Sequence, residues 1–364
     1  MKEQIMSLVL KMMIDFHMHF RHAELLEKIA RYTSAYCSHA IAMGNTPEPH
    51  GPIVTGKQAM AYKREILQHT HEGFQPLMTI MLVYGTTPEI LQEAYDVGVR
   101  YLKLIPTGTS TGSGKGKNPK AGVALKDLED YYPVLEKAQE LGMILLVHFE
   151  LNEDPETGEP IPEVQRELRA IPYAYQIMRD FPDFPMSIEH VTTRQMVNVV
   201  EGAGENVVAT VTPHHLLLTT NDVIDNTGHI ICPHSYCKPI AKTADDRSAL
   251  REVITSGSEK WGPGTDSAVH LPETKVYRGE NGKTPPNAGV FNAPITPLVY
   301  AQVFDDAGAL DKLQAFFLNL CEFHGLKPSE KTFTLVREEH IVPNDYDGIV
   351  PLFAGKPLNW RFPE

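Results

Sequence analysis

The sequence predicts an α/β protein built as a TIM (β/α)8 barrel with a short C-terminal extension. Apolar, strand-like segments alternate with helix-like segments along the chain, which is typical of the βαβ units of a parallel sheet. Eight such strand-like segments follow one another, and eight is the number that closes this kind of barrel. The 364 residues, of which 42% are hydrophobic, are enough to bury a core of this size.

The eight predicted strands are spread over most of the chain, at residues 11–20, 39–45, 74–82, 99–106, 143–150, 185–191, 206–213 and 261–268. The last of them, WGPGTDSA, has a weak strand propensity and is assigned partly by its place in the series. The tail after these segments predicts short strands and turns. We therefore expect one domain over residues 1–364, with the barrel at about 11–325 and the extension at about 326–364.

Two segments between the strands have the clearest helix signals. In TTPEILQEAYDVG, Thr87 can cap the helix, Pro88 suits its first position and Gly98 can end it. The segment at 125–142 also has a helical pattern, and Pro133 within it predicts a late start or a kink. Both helices fit the connections between consecutive barrel strands.

The composition argues against nucleic acids and membranes as partners. The net charge of −13 and the pI of about 5.7 leave no excess of basic residues for phosphate binding. No segment approaches the roughly 20 consecutive apolar residues of a membrane span. The four cysteines form no CxxC pair, which favours reduced thiols and a cytoplasmic location: Cys37, Cys232, Cys237 and Cys321.

Candidate functional residues lie at the carboxyl ends of the predicted strands, where TIM barrels have their active sites. His17 and His19 end the first strand and project to the same face, because strand side chains alternate. The other candidates belong to strands four, five, six and eight: Lys103, His148, His190, Asp266 and the following His270. Each residue alone is more typical of a structural role. Together they predict a metal site, because imidazole and carboxylate suit zinc, manganese, iron or cobalt.

Lys103 lies in an otherwise apolar strand, where an unpaired ammonium is costly. One interpretation is that it pairs with a carboxylate such as Asp266 or extends to the barrel mouth. Another is that its amine, neutralised by burial, reacts with carbon dioxide and forms a carbamate that bridges two metal ions. The strand pattern itself leaves both interpretations open.

The segment PTGTSTGSGKGKNPKAG at residues 106–122 follows the fourth strand and is rich in Gly, Ser, Thr and Lys. It matches neither the P-loop pattern nor the GxGxxG pattern of phosphate-binding loops. We interpret it as a mobile loop at the barrel mouth, where lids are found, with a solvated linker as the alternative.

The HxH pair on strand one, the lysine on strand four, the histidines on strands five and six and the aspartate on strand eight resemble the amidohydrolase superfamily with a binuclear centre. The chain is more closely similar to dihydroorotases of the single-domain bacterial type. The motifs that carry this resemblance span the chain in order: DFHMHFR, AMGN, YLKLIP, LLVHFE, IEHVTT, VTPHHL, GTDSAVH, AGVFNAPI and TLVREEHIVPN.

The resemblance implies two zinc ions, or other divalent metals, in each subunit. The residues that match the family's metal ligands are His17, His19, Lys103, His148, His190 and Asp266. The first two histidines would bind one ion and the last two the other, with a carboxylated Lys103 as the bridge. Asp266 would ligate the first ion and act as the catalytic proton shuttle.

The resemblance also implies the substrate and its contacts. The reaction would be the reversible hydrolysis of (S)-dihydroorotate to N-carbamoyl-L-aspartate in de novo pyrimidine (UMP) biosynthesis, carried out by a homodimer. Arg21, Asn45 and His270 match positions that hold the substrate carboxylate. Further matches are ring contacts and hydroxyls of the mobile loop: Lys238, Ala288, Ser110 and Thr111. Lys238 stands where the family usually has an apolar residue, so its contact would be made by its backbone.

Two other functions remain open from the sequence. A hydantoinase- or allantoinase-like cyclic amidase would keep the metal centre, but a hydantoin lacks the carboxylate for which Arg21, Asn45 and His270 are suited. An inactive barrel that serves as a structural partner is the less favoured alternative, because degenerate relatives tend to lose metal ligands and all six candidates are present here.

Overall fold

The computed structural model describes residues 6–46, 51–110, 112–279 and 282–363. Its strands are β1 (Ser7–Lys11), β2 (Met13–His19), β3 (Cys37–Ala42), β4 (Gln75–Met81), β5 (Tyr101–Leu104), β6 (Ile144–Val147), β7 (Met186–Ile188), β8 (Val207–Val211), β9 (Trp261–Pro263), β10 (Ser267–Ala268), β11 (Thr332–Ile341) and β12 (Pro357–Arg361). Its α-helices are α1 (Ala23–Ser34), α2 (Gly56–Leu67), α3 (Pro88–Asp96), α4 (Tyr132–Glu140), α5 (Arg166–Asp180), α6 (Arg194–Gly202), α7 (Pro213–Leu217), α8 (Thr220–Val223), α9 (Ala244–Ser256), α10 (Thr296–Asp306) and α11 (Leu313–Leu318).

The strands from β2 to β10 form one parallel sheet, in the order β10-β2-β3-β4-β5-β6-β7-β8-β9. Each of the eight predicted strands falls on a strand of this sheet. The last predicted strand, 261–268, supplies both ends of the order, because β9 pairs with β8 while β10 pairs with β2. The sheet therefore returns to its first strand, and the predicted TIM barrel is confirmed.

The three residues between β9 and β10 complete this closure. The backbone N–H of Asp266 donates to His17 O at 2.8 Å. Thr265 donates to the buried carboxylate of Asp15 from its backbone N–H, at 2.9 Å, and from its hydroxyl, at 2.6 Å. Gly264 leaves the space for this approach, since a Cβ there would lie 2.9 Å from the Cβ of His17. Close packing, rather than strand propensity, thus decides the course of the chain here.

An irregularity in β2 changes which of its side chains face the barrel interior. The register of β2 against β3 shifts between Asp15 and Met18, as at a β-bulge. Phe16 belongs to an apolar cluster in which side chains from β3, β5, β6 and β8 meet inside the barrel. The next residue, His17, contacts polar side chains at the carboxyl end. Strict alternation would put the side chains of these two neighbours on opposite faces of the sheet. The bulge allows both side chains to face the barrel interior.

The two helices with the clearest sequence signals are confirmed. Thr87 caps α3 by accepting a hydrogen bond from the backbone N–H of Ile90, and Pro88 is the first residue of the helix. α4 begins late, at Tyr132, after a 3-10 turn over Leu125–Tyr131, and Pro133 lies in its first turn.

The described helices include none with the length and hydrophobicity that crossing a bilayer requires.

The chain termini meet in a second, antiparallel sheet of β1, β11 and β12. The first predicted strand, 11–20, is therefore divided. Lys11 ends β1, and the backbone N–H of Met12 donates to Lys331 O before β2 begins at Met13. The tail forms a ten-residue strand, β11, instead of only short strands. The domain boundaries at about 11–325 and 326–364 stay a prediction.

We predict that Gly264→Ala destabilises the fold because the added methyl group overpacks the closure beside His17. The expected loss in the free energy of unfolding is about 1–3 kcal/mol, measured by urea unfolding. Gly202→Ala is the matched control, since a Cβ at the end of α6 meets nothing within 4 Å and should leave stability unchanged or slightly higher. Equal stability of the two variants would contradict the packing argument.

Candidate metal centre

Four buried histidines form a continuous row at the carboxyl end of the barrel. Ring centroids are 5.3 Å apart for His19 and His17, 4.9 Å for His17 and His190, and 4.7 Å for His190 and His148. Burial lowers the pKa of all four imidazoles, and the positive charge of Lys103 acts in the same direction. The rings are therefore neutral at pH 7, which is the form that coordinates metal ions.

Asp266 lies against one end of this row. Its Oδ1 is 3.0 Å from His19 Nε2 and 3.5 Å from His17 Nε2. The donor atoms of these three residues lie within 4.8 Å of one another, and the three are buried, so that they could hold one metal ion. Asp266 adopts a left-handed backbone conformation with φ +44°, as does His190 with φ +43°. Such strain is common where a side chain is held in a functional position.

A buried carboxylate fixes the orientation of His17. The ring Nδ1–H of His17 donates to Glu189 Oε2, which leaves the lone pair of Nε2 directed towards Asp266. Burial raises the pKa of Glu189 to about 7, and the charge of Lys103 opposes this rise. Glu189 therefore holds the tautomer in which His17 can act as a ligand.

A second buried carboxylate, that of Glu150, fixes the orientation of His148. The ring Nε2–H of His148 donates to Glu150 at 2.9 Å, which leaves a lone pair on Nδ1, 3.0 Å from His190 Nε2. Burial alone would raise the pKa of Glu150, but the hydrogen bond from His148 holds it below its ordinary value. His148 Nδ1 and His190 Nε2 thus form a second pair of nitrogen donors that face each other.

Lys103 lies beneath these groups in β5 and is fully buried. Its Nζ has no hydrogen-bond partner among the residues that the structure describes. Burial lowers the pKa of Lys103 to about 8, against the opposing charges of Glu189 and Asp266. Lys103 thus interacts with the charges of two carboxylates without a hydrogen bond to either, and its complete burial disagrees with an extension to the barrel mouth.

A small cavity opens at the His19 end of the histidine row and is lined by seven of the residues named from the sequence: His19, Arg21, Asn45, Ser110, Lys238, Asp266 and Ala288. Ser110 brings the segment 106–122 to this cavity, which favours a loop at the site over a solvated linker. Thr111 lies outside the described residues. Lys238 has its Nζ 3.8 Å from Glu163 Oε1, so that its charge has a partner.

Arg21 forms one wall of the cavity together with the residues around His270. Its Nε donates to Val269 O at 3.1 Å, and its Nη2 lies 3.2 Å from His270 Nε2. The same His270 nitrogen lies 2.8 Å from Ala288 O, to which it donates. Burial lowers the pKa of the Arg21 guanidinium to about 10, which leaves it charged at pH 7. The wall therefore carries a buried positive charge.

Comparison with known proteins decides the family. No protein-family model matches the chain. A curated dihydroorotase from Marinomonas sp. (strain MWYL1) is 37% identical over 356 residues, which are 95% of this chain and 96% of that relative. The chain belongs to the dihydroorotase family. Dihydroorotases are metal-dependent amidohydrolases of pyrimidine biosynthesis, and the neutral histidines with Asp266 are consistent with such an enzyme.

Solved dihydroorotase structures are similar over the whole chain. The enzyme from Campylobacter jejuni is 32% identical with a TM-score of 0.84, and the match covers 100% of this chain and 99% of that one. The Saccharomyces cerevisiae dihydroorotase in complex with 5-fluoroorotic acid is 28% identical, also with a TM-score of 0.84, over 98% of each chain. A D-hydantoinase from Bacillus sp. AR9, 16% identical with a TM-score of 0.69 over 97% of this chain and 83% of that one, shares the fold.

The sequence patterns did not identify the carboxylates that orient the histidines. Glu189 and Glu150 both lie in motifs that resemble dihydroorotases, IEHVTT and LLVHFE, next to or two residues after a predicted ligand. The available signal was that a buried imidazole needs a partner for its second nitrogen. Which carboxylate supplies that partner depends on the fold, because Glu189 serves His17, 172 residues away.

A second group with donor atoms in metal-binding proximity, His214, His215 and Cys237, has a different character. His215 lies between the hydroxyl of Thr212 and the carbonyl of Pro239, each 2.9 Å away. The thiol of Cys237 donates to the same carbonyl at 3.2 Å, and burial raises its pKa, so it stays protonated. His214 Nδ1 lies 3.2 Å from Asn292 Nδ2, so all three groups take part in structural hydrogen bonds.

We predict that Glu189→Gln weakens the binding of zinc by about 10- to 100-fold, since the orienting charge on His17 is lost. Zinc affinity would be measured by competition with a chromophoric chelator. Glu167→Gln is the matched control, because Glu167 is another buried glutamate but bonds to the backbone N–H of Thr192, at 2.9 Å. Equal zinc affinity in both variants would contradict this role of Glu189.

Proposed function

We propose that the protein hydrolyses the cyclic amide of (S)-dihydroorotate reversibly to N-carbamoyl-L-aspartate, a step of de novo pyrimidine (UMP) biosynthesis. The observation that carries this proposal is the buried guanidinium of Arg21 at the cavity that also contains Asp266. A metal centre alone would suit many cyclic amides. A fixed cation beside it selects a ring that bears a carboxylate.

The hydrogen bonds around Arg21 support an anionic ligand. Since His270 Nε2 donates its proton to Ala288 O, the same nitrogen cannot accept a hydrogen bond from Arg21. The Nη2 group of Arg21 therefore faces a donor and needs an acceptor from elsewhere. A carboxylate fits this need, because its two oxygens match the fork of the guanidinium. Arg21 would thus hold the ring by its carboxylate and orient the amide bond towards Asp266.

We propose two divalent metal ions, zinc or a similar metal, as the cofactors. His17, His19 and Asp266 would hold one ion and His148 and His190 the other. The neutral rings and the mixed nitrogen and oxygen donors support this assignment. When bound, the ions would supply an activated water as nucleophile and polarise the ring carbonyl.

We further propose that Lys103 is carboxylated. Its buried Nζ without a hydrogen-bond partner supports this, as does the lowered pKa, which makes the neutral amine accessible near pH 8. In the modification, the amine nitrogen bonds to the carbon of CO2 and loses a proton. The product is an anionic carbamate, which would be a further ligand for the proposed ions and would replace a buried ammonium that no hydrogen bond satisfies.

Asp266 would move the proton that the reaction requires. Its carboxylate lies at the cavity, beside His19 Nε2, where it can accept a proton from the attacking water. The C–N bond of the ring breaks after the attack, and the leaving ring nitrogen needs a proton. Asp266 would return the proton to that nitrogen, acting first as general base and then as general acid.

The remaining contacts and properties complete the proposal. The substrate contacts would come from the cavity wall and the loop: Arg21, Asn45, His270, Lys238, Ala288, Ser110 and Thr111.

A homodimer in the cytoplasm is proposed from the resemblance alone, and the mass of the purified protein in solution tests the dimer. An inactive structural role is disfavoured because all six proposed ligands are present.

We expect the zinc-loaded protein to interconvert dihydroorotate and N-carbamoyl-aspartate in both directions and to act poorly on hydantoin. Removing the metal with a chelator should abolish the activity, and adding zinc with bicarbonate should restore it. Absorbance and chromatographic assays with the two substrates side by side would measure this. No interconversion by metal-loaded protein, or a preference for hydantoin, would overturn the proposal.

Arg21→Met should lower kcat/KM for dihydroorotate by about 30- to 160-fold, corresponding to about 2–3 kcal/mol for a charge-assisted hydrogen bond, mainly through a higher KM. Steady-state kinetics would measure the change. Arg251→Met is the control, because the Arg251 guanidinium also donates to a backbone carbonyl, Leu216 O at 2.7 Å, but in α9. A hydantoinase would be indifferent to both substitutions.

A further inference from the structure

Lys275 is a buried cation close to the cavity, and nothing in the sequence pattern around it predicts a function. Only 3% of the residue is exposed. Its Nζ donates to three backbone carbonyls: Tyr236 O at 3.3 Å, Asn287 O at 2.8 Å and Gly289 O at 2.7 Å. Each of these acceptors is part of a loop rather than of a helix or strand.

The number of acceptors matches the protonated form of the side chain. An ammonium has three N–H donors, whereas a neutral amine has two and would leave one carbonyl without its donor. Burial lowers the pKa of Lys275 to about 7, so the carbonyls are needed to stabilise the charge. Lys275 therefore acts as a cross-link between two loops, and its three hydrogen bonds are complete when the amine is protonated.

Both loops carry residues of the cavity wall. Tyr236 precedes Lys238 by two residues, and Asn287 and Gly289 flank Ala288. Lys238 and Ala288 line the cavity with Arg21. The backbone N–H of Gly289 also donates to Tyr236 O at 2.8 Å, so Lys275 reinforces a direct contact between two segments that face the same ligand.

The Ala288 peptide also determines how Arg21 presents its charge. Its carbonyl accepts a hydrogen bond from His270 Nε2–H. Because this nitrogen is a donor, His270 cannot accept a hydrogen bond from Arg21 through it. If the peptide moved, the His270 ring could turn and itself accept a hydrogen bond from the Arg21 guanidinium. The position of Ala288 therefore keeps the guanidinium free for a carboxylate.

We propose that Lys275 is a positioning residue that clamps the loops at 236–238 and 287–289, so that the carboxylate pocket is formed before the substrate arrives. The inference rests on the proposed function, since this pocket is the one assigned to the substrate carboxylate. Preformed geometry lowers the ordering that binding would otherwise require.

The test compares ligand binding by the full-length, zinc-loaded protein with and without the clamp. Lys275→Met should raise the Kd for 5-fluoroorotate and the KM for dihydroorotate by about tenfold or more. Zinc content should not change, because the ligand histidines lie on β2 and at the ends of β6 and β7. Lys275→Gln, which keeps two N–H donors, should give a smaller rise and still supports the measurement if the Met variant does not fold.

Lys260→Met is the matched control. Lys260 also donates to three backbone carbonyls, of Val200, Ala203 and Gly204 at 3.0, 2.5 and 3.1 Å, but before the amino end of β9. Its loss should lower stability while leaving the Kd for 5-fluoroorotate within about twofold of wild type. A Kd within twofold for the Lys275 variants, or an equal rise for Lys260→Met, would overturn the inference. Failure of the wild type to bind or hydrolyse would instead overturn the proposed function.

Discussion

The closure of the barrel at Asp15 is the constraint on which the site depends. The carboxylate is fully buried and accepts hydrogen bonds from the backbone N–H groups of His17 and Thr265 and from the Thr265 hydroxyl. Burial raises the pKa of Asp15 to about 7, and these hydrogen bonds oppose the rise. They bind β2 to the segment that follows β9. Because Asp266 comes next in that segment, the same contacts set the distance from its carboxylate to His17 and His19.

Burial then separates the chemistry of the cavity into two parts. On the floor, the histidines lose their charge because they are desolvated, and Glu189 and Glu150 accept hydrogen bonds from the ring N–H groups of His17 and His148. On the wall, the guanidinium of Arg21 stays charged because its pKa falls only to about 10. Neutral donors and a fixed cation a short distance apart suit a ligand with a polarisable carbonyl at one end and a carboxylate at the other.

The sequence predicted the parts of this arrangement that follow from strand order. His17, His19, Lys103, His148, His190 and Asp266 all come at barrel strand ends or within strands, so the fold brings them together once eight strands are recognised. Glu189, Thr265 and Lys275 could not be predicted in the same way. Their roles depend on partners 172, 250 and 39 positions away or on loop carbonyls, which no local pattern encodes. The bulge in β2 and the pairing of β1 with β11 escaped prediction for the same reason.

The hydrogen bonds of the buried cations near the cavity distinguish a structural role from a functional one. Lys275 has an acceptor for each of its three donors, which is the pattern of a cross-link within the protein. Lys103 has no hydrogen-bond partner among the described residues, and Arg21 has a nitrogen that faces another donor. An unsatisfied buried charge destabilises the fold unless a ligand or a modification completes it. The two unsatisfied cations therefore support the proposed carbamate at Lys103 and the proposed carboxylate contact at Arg21, while Lys275 cross-links the loops that line the cavity with Arg21.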